Sequence, residues 1–254
     1  MGTLYDLVDR LLMNNNEEEI YKYIRNNKNK IIFDIGCFKG KFTQKIIKLD
    51  KENHSDTFYY LFDPNPNVPH YIEKLIKNNT NINLHTNGFS DKIEKKEFYL
   101  NNFFEASGSS FQTIWKDDKG WYFSRRLLLI IINILNFRKT KKYSKIEMLT
   151  STIDEFCQKE NIEKIDLLKI DTEGHEEHVL KGAYKTLKKK IIDVIYVEVS
   201  DKKNNFNSKK KRIEDYLNKL NYKFIKEYPI KSVSLLSNLK SSDILFVKKG
   251  QKTD

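Results

Sequence analysis

Cysteine is nearly absent: Cys37 and Cys157 are the only two in 254 residues. Two thiols cannot build a disulfide scaffold, and no Cys/His group has zinc-site spacing. Arginine is scarce too, occurring only at Arg10, Arg25, Arg125, Arg126, Arg138 and Arg212, so most of the Lys+Arg total of 46 is lysine. Against Asp+Glu 35 this gives a formal charge of +11. Nucleic-acid surfaces usually add arginine forks and stacking aromatics. Here the lysines sit among many asparagines and isoleucines, a mixture that an AT-rich coding genome also yields. The charge is therefore read as a solvated lysine surface, which argues against a nucleic-acid partner. No long hydrophobic run is present either. The longest, residues 127–135, contains Asn133 and falls far short of the roughly 20 residues that a membrane span needs. Asp6, Asp9 and Arg10 interrupt the apolar pattern of residues 1–16, which speaks against a signal peptide. A cytoplasmic, reducing compartment fits these absences. Hydrophobic residues at 39% and aromatics at 13% exclude intrinsic disorder. At roughly 150 residues per domain, the length allows one large domain or two small ones.

No internal repeat is visible, and the chain alternates strand and helix. Residues 3–13 and 16–25 read as amphipathic helices, the second opened by Asn16 with Glu17, Glu18 and Glu19 in its first turn. Together they make a helical segment over 1–29, followed by the main domain over 30–254. Strands are expected at 30–35, 58–62, 82–86 and 165–170, with an added strand or hairpin arm at 97–100. Helices are expected at 41–49, 71–77, 152–159, 176–187 and 209–220, the third capped by Ser151 or Thr152. Residues 191–199 are too rich in β-branched side chains for a comfortable helix. Strands at 222–227 and 243–248 have no helix between them and read as an antiparallel edge hairpin. The fold class is α/β: a mostly parallel, doubly wound sheet of the nucleoside-binding kind.

Residues 112–145 break the alternation. They hold Trp115, Trp121, Tyr122 and Phe123, then Arg125 and Arg126, then the apolar run 127–137, then Arg138, Lys139, Lys141 and Lys142. The plain reading is an inserted helix or lid packed on the domain. The sharper one is an acceptor-binding cap, or a peripheral membrane contact through 125–142, because basic residues flank an apolar core.

Two stretches carry chemistry. In the first, a strand ends in Asp34-Ile35-Gly36-Cys37-Phe38-Lys39-Gly40 and a helix follows. The glycines let the backbone turn sharply and approach a ligand, and the helix beyond offers free N–H groups. Asp63 ends the next strand, 23 residues after Gly40, where an acidic side chain can accept both ribose hydroxyls. The bland alternative for Asp63 is a turn initiator before Pro64. In the second stretch, 165–182, a buried strand delivers Asp171 and Glu173 to its carboxyl end, and the strand at 191–199 brings Glu198 to the same edge. A carboxylate there can deprotonate a hydroxyl, ligate a metal or hold a substrate. Glu173 and Glu176 can equally be helix N-terminal acids. His175 and His178 form an i,i+3 pair with no third metal ligand in the sequence.

Together these stretches resemble the FkbM-type family of S-adenosylmethionine-dependent methyltransferases, within the Rossmann-like class. The resemblance runs from about Ile31 to Val199. Besides the glycine turn it includes Phe62-Asp63-Pro64-Asn65-Pro66, Asn87-Gly88-Phe89-Ser90-Asp91, Ser107-Gly108-Ser109-Ser110 and Ser151-Thr152-Ile153-Asp154. The most specific block is Lys169-Ile170-Asp171-Thr172-Glu173-Gly174-His175-Glu176, followed by Leu180-Lys181-Gly182-Ala183. The resemblance implies O-methylation of a hydroxyl on a sugar, glycolipid or polyketide. It implies that Asp34, Gly36, Cys37, Phe38 and Gly40 line the methionine end of the cofactor. Asp63 would hold the ribose, Asn87, Phe89, Ser90 and Asp91 would border the adenine, and Asp171 would sit beside the methyl. Two positions depart from the family: Phe38 stands where asparagine is usual, and Asp63 where glutamate is usual.

Methyl transfer needs an oxygen aligned with the methyl and a group to take its proton. Asp171, Glu173, His175 and Glu198 are the candidates, in that order, and the sequence leaves a divalent metal undecided. The expected function is an S-adenosylmethionine-dependent O-methyltransferase with a glycan or small-molecule acceptor. The alternatives are an RNA or protein methyltransferase, and a cofactor-binding scaffold that has lost catalysis. Asp34, Asp63, Asp171 and Glu173 together argue against the scaffold.

Overall fold

The computed structural model describes residues 16–52, 56–101, 109–112, 143–230 and 238–251. The expected helix at 3–13 and nearly all of the 112–145 segment, with its cap and membrane readings, lie outside the described residues.

Strands β1 (Lys30–Ile35), β2 (Thr57–Phe62) and β3 (Ile82–His85) run parallel, as do β7 (Ile165–Ile170) and β8 (Ile192–Lys202) on the other side of β1. The hairpin of β9 (Tyr222–Ile230) and β10 (Leu239–Lys248) closes that edge antiparallel. The order is β3-β2-β1-β7-β8-β10-β9. The chain moves outward from β1 through β2 to β3, then returns to the far side of β1, so the order reverses there. Open α/β sheets bind ligands at the carboxyl ends of strands at such a reversal.

Helices cover both faces, which is why the central strands β1 and β7 are buried almost throughout rather than alternately. On one face α1 (Glu17–Tyr21), α2 (Lys41–Glu52) and α3 (Val68–Lys77) bury Ile20, Ile46 and Ile72 against Ile32, Leu61, Leu167 and Val194. On the other, α4 (Ile153–Lys159), α5 (Glu176–Lys181), α6 (Tyr184–Lys188) and α7 (Lys203–Lys219) bury Phe156, Val179, Leu187 and Phe206 against Phe33, Leu168 and Ile195. Ile20 joins the main core, so the described part of the N-terminal segment is not a separate unit. Thr152 caps α4 as expected, its Oγ1 accepting the Glu155 N–H at 3.0 Å.

The structure differs most from the sequence reading at three places. A second, small sheet of β4 (Gly88–Phe89), β6 (Tyr143–Ser151) and β5 (Lys95–Asn101) stands beside the main one. β6 was not anticipated, and it takes up residues 143–145 of the supposed insertion; β5 is its antiparallel partner. The helix expected over 176–187 is two, because Gly182 and Ala183 separate α5 from α6. A Cβ at Gly182 would lie 2.0 Å from the Ser90 carbonyl oxygen, so only glycine lets the end of α5 slide under that loop. Finally, α7 starts at Lys203 rather than 209.

The ends of β1 and β7 meet with no room between them. Asp171 N–H donates to the Ile35 carbonyl at 2.9 Å, and Gly36 N–H donates to Phe62 O at 2.8 Å. Gly36 has φ +77, and a Cβ there would lie 1.7 Å from the Asp171 carbonyl oxygen. We expect Gly36→Ala to cost about 2–4 kcal/mol, combining left-handed strain with a forced separation of two strand ends. Urea unfolding measures it, and a loss under about 1 kcal/mol would show that the two ends part easily.

Candidate active site

At the carboxyl ends of β1, β2 and β7 lies an open cleft. Gly36 and Phe38 come from the turn after β1, Asp63, Pro64 and Asn65 from the turn after β2, and Asn87, Gly88 and Phe89 from the loop and β4. Asp171, Thr172 and Glu173 follow β7, and Phe98, Ser110 and Phe111 close the outer side. The wall combines aromatic side chains with the carboxylates of Asp63, Asp171 and Glu173.

Asp63 is buried, and its two oxygens accept the N–H groups of Phe38 and Asn65, both at 2.9 Å. Burial outweighs these bonds and pushes its pKa up to about 6. Asn65 is 1% exposed; its Oδ1 accepts the Asn67 N–H at 3.0 Å, which fixes the amide orientation. Its Nδ2 has no partner among the described residues. A buried donor left unpaired is costly, and a ligand that brings an acceptor would relieve it.

Lys169, one turn of the pleat below Asp171, is nearly buried. Its ammonium lies 3.1 Å from Asp171 Oδ2, 3.3 Å from Asp34 Oδ1 and 3.4 Å from Gly36 O. Burial alone would lower its pKa, but Asp171 and Asp34 reverse that and hold it above the ordinary lysine value. Glu198 and Asp243 are register partners on β8 and β10. Desolvation, then the charge of Asp171, raises the Glu198 pKa, and Asp243 and Glu173 add to it. Desolvation also pushes Asp243 up to about 7, against a hydrogen bond from Tyr196 and with further repulsion from Asp171. The Tyr196 ring stacks on Phe42 at 6.0 Å.

The Methyltransferase FkbM domain matches residues 34–224, most of the chain, including every residue that lines this cleft. The chain belongs to the FkbM methyltransferase family. It is 24% identical over 171 residues to the 2-O-methyltransferase NoeI of Sinorhizobium fredii (strain NBRC 101917 / NGR234). That match covers 67% of this chain and 63% of NoeI, so the chain spans under two thirds of that relative's length. Among solved structures, Methyltransferase FkbM from Methylobacillus flagellatus KT superposes with a TM-score of 0.48 at 11% identity, over 85% of this chain and 43% of that one. The magnesium protoporphyrin IX methyltransferase ChlM from Synechocystis PCC 6803, solved with bound SAH, gives 0.47 at 9% identity, over 98% and 89%.

Against the FkbM resemblance, Gly36, Phe38, Asp63, Asn87, Phe89, Asp171 and Glu173 meet in the cleft wall. The other expected residues stand behind it. Asp34 is fully buried and accepts from Thr43 Oγ1 at 2.7 Å. Cys37 is buried, and burial followed by Asp63 and Asp34 raises its thiol pKa, so it stays protonated. Gly40 abuts Leu75 and Ile72 in the core rather than the cleft. Ser90 Oγ lies 3.0 Å from both Asp91 Oδ1 and His175 Nε2. His175 is 1% exposed, with Nδ1 3.2 Å from Gln112 Nε2. Burial, then His178 and Lys96, pushes its pKa down to about 3. With both ring nitrogens engaged it is a neutral strut between loops. Among the described residues no group of three or more His, Cys, Asp or Glu is arranged to hold a metal ion.

Sequence reading missed Asn65, Ser110, Phe111 and Thr172 as wall residues, although all but Phe111 lie in motifs it had marked. Asp243 and Tyr196 carried no local signal, because only the β8–β10 register brings Asp243 opposite Glu198.

Asp243 supplies a pH test. An acid whose folded pKa lies above its unfolded value binds its proton more tightly when folded. Its contribution to stability is thus present at low pH and declines as pH rises from about 4 toward about 7. The difference in Tm between the wild type and Asp243→Asn should therefore shrink or reverse in sign on going from pH 4.5 to pH 8. A constant difference would show that Asp243 titrates at an ordinary value.

Proposed function

We propose that this chain is an S-adenosylmethionine-dependent O-methyltransferase acting on a hydroxyl of a sugar or another neutral small molecule. The observation that carries the reading is the joining, in one cleft at the reversal of the sheet, of a buried acid after β2 with two carboxylates after β7. The cleft suits the cofactor chemically. Asp63 keeps a lone pair on each oxygen for ribose hydroxyls, and Asn65 Nδ2 offers an unspent donor. Phe89, Phe98, Phe111 and Pro64 supply apolar surface for a base. Family membership supports the same choice.

When bound, the cofactor supplies an activated methyl on a sulfonium, so the protein has no covalent intermediate to make. What remains is orientation and one proton. In this reading the acceptor hydroxyl meets the methyl beside Asp171 and Glu173, which both line the cleft, and Lys169 holds the Asp171 carboxylate in place through its 3.1 Å contact. A carboxylate there aligns the hydroxyl through a hydrogen bond and takes its proton. Glu198 and Asp243, both with raised pKa values, form a second layer that can hold protons near neutral pH.

The acceptor edge also bears on substrate class. Asp171 and Glu173 line the cleft wall, so carboxylates meet the acceptor there, which suits a neutral hydroxyl better than a phosphate group. That weighs against RNA, despite the overall charge of +11. The naming of NoeI as a 2-O-methyltransferase agrees with a hydroxyl acceptor.

Calorimetry with S-adenosylhomocysteine tests the cofactor. Asp63→Ala should weaken binding by about 1–3 kcal/mol, through hydrogen-bond partners left unpaired. Methyl-labelled S-adenosylmethionine, offered with neutral methyl glycosides, uronic acids and RNA in parallel, tests the acceptor. Label should enter the neutral sugars, and Asp171→Asn should slow transfer at least about tenfold, or 1.4 kcal/mol of barrier. No binding by the wild type, or labelling of RNA alone, would overturn the reading.

A further inference from the structure

We propose that Lys209 is a positioning residue for the cofactor cleft: together with Glu176 it holds the Asp171–Gly174 turn in the backbone conformation that carries Asp171 and Glu173 into the cleft wall. The proposal rests on the cofactor reading above and concerns two side chains outside that wall.

The turn is strained. Glu173 has φ +52 and Gly174 has φ +107, two consecutive left-handed residues. For glutamate that region is unfavourable, and it persists only where the surroundings over-determine it. Here the surroundings are a buried ion pair, with Glu176 0% and Lys209 3% exposed. Glu176 Oε1 accepts the Gly174 N–H at 2.7 Å and the Thr172 hydroxyl at 3.4 Å. Lys209 Nζ donates to Glu176 Oε2 at 2.7 Å, to the Gly174 carbonyl at 2.7 Å and to the Ser200 carbonyl at 3.0 Å. All three ammonium donors are used. Both polar groups of the Gly174 backbone are thus bonded by one ion pair. Ser110 Oγ pins the other side of the turn by donating to Thr172 O at 2.8 Å.

Stability alone does not call for this arrangement. A buried ion pair is often no better than well-packed apolar residues of the same volume. Helix α7 already docks through Phe206, Ile213 and Leu217. What an apolar pair cannot supply is directed bonds to Gly174. A control lies on the same two helices: Arg212 grips Glu177 at 2.8 and 2.7 Å, half exposed and touching nothing in the turn.

The test uses S-adenosylhomocysteine calorimetry, thermal melts and hydrogen exchange on the full chain. Lys209→Met should lose stability and at least about tenfold in affinity. In the double variant Lys209→Met with Glu176→Leu, stability should return while the affinity loss remains. Arg212→Ala should bind as the wild type does. Amides of Thr172 to Gly174 should exchange at least about tenfold faster in the double variant, a readout that needs no ligand. Affinity that recovers together with stability, or unchanged exchange in the turn, overturns the positioning role. A wild type that fails to bind S-adenosylhomocysteine overturns the cofactor reading instead, and the exchange result still decides the role of Lys209.

Discussion

The whole site depends on the contact between the ends of β1 and β7. The Asp171 carbonyl fills the space where a side chain at Gly36 would be, and the Lys169 ammonium spans Asp34 and Asp171 beneath it. With the two strand ends locked, the turns that leave them are forced apart, and the cleft is the gap between those turns. A buried cation between two carboxylates also keeps the acids in a defined arrangement, where two unneutralised carboxylates would repel.

Charge is distributed by depth. Lysines dominate the surface, while the described wall of the cleft carries Asp63, Asp171 and Glu173, with Lys169 paired to Asp171 behind it. Net charge therefore misleads about the site: the surface governs solubility, and the local field governs what can approach the reacting atoms. Behind that wall, burial raises the pKa values of Glu198 and Asp243.

The two departures from the family acquire physical meaning in the fold. Phe38 has φ +45, a conformation that asparagine adopts with less strain. Its ring instead packs edge-on against Tyr71 at 5.7 Å, an aromatic contact that offsets part of that strain. At Asp63 the shorter acid reaches the Phe38 and Asn65 N–H groups directly, tying the turns after β1 and β2 together across the floor of the cleft.

Much of the fold was legible because its signals are local. Alternating elements, apolar runs at β1, β7 and β8, the Thr152 cap and the helix-free interval before β10 each follow from nearby residues. The glycine turn, Asp63 and the Asp171–Glu176 block were legible for the same reason. Strand β6 was not, although residues 144–149 alternate between half-buried and exposed, because its charged outer face blended into the basic segment before it. Which marked residues face the ligand was also beyond the sequence. Asp34, Gly40 and His175 sit in motifs yet point into the protein, since a strand's period of two and a tight turn send neighbours in opposite directions. Asp243 reaches Glu198 only through strand pairing, and Lys209 reaches Gly174 only through the docking of α7. Those contacts join residues more than thirty positions apart, and no local pattern encodes a distance that packing alone sets.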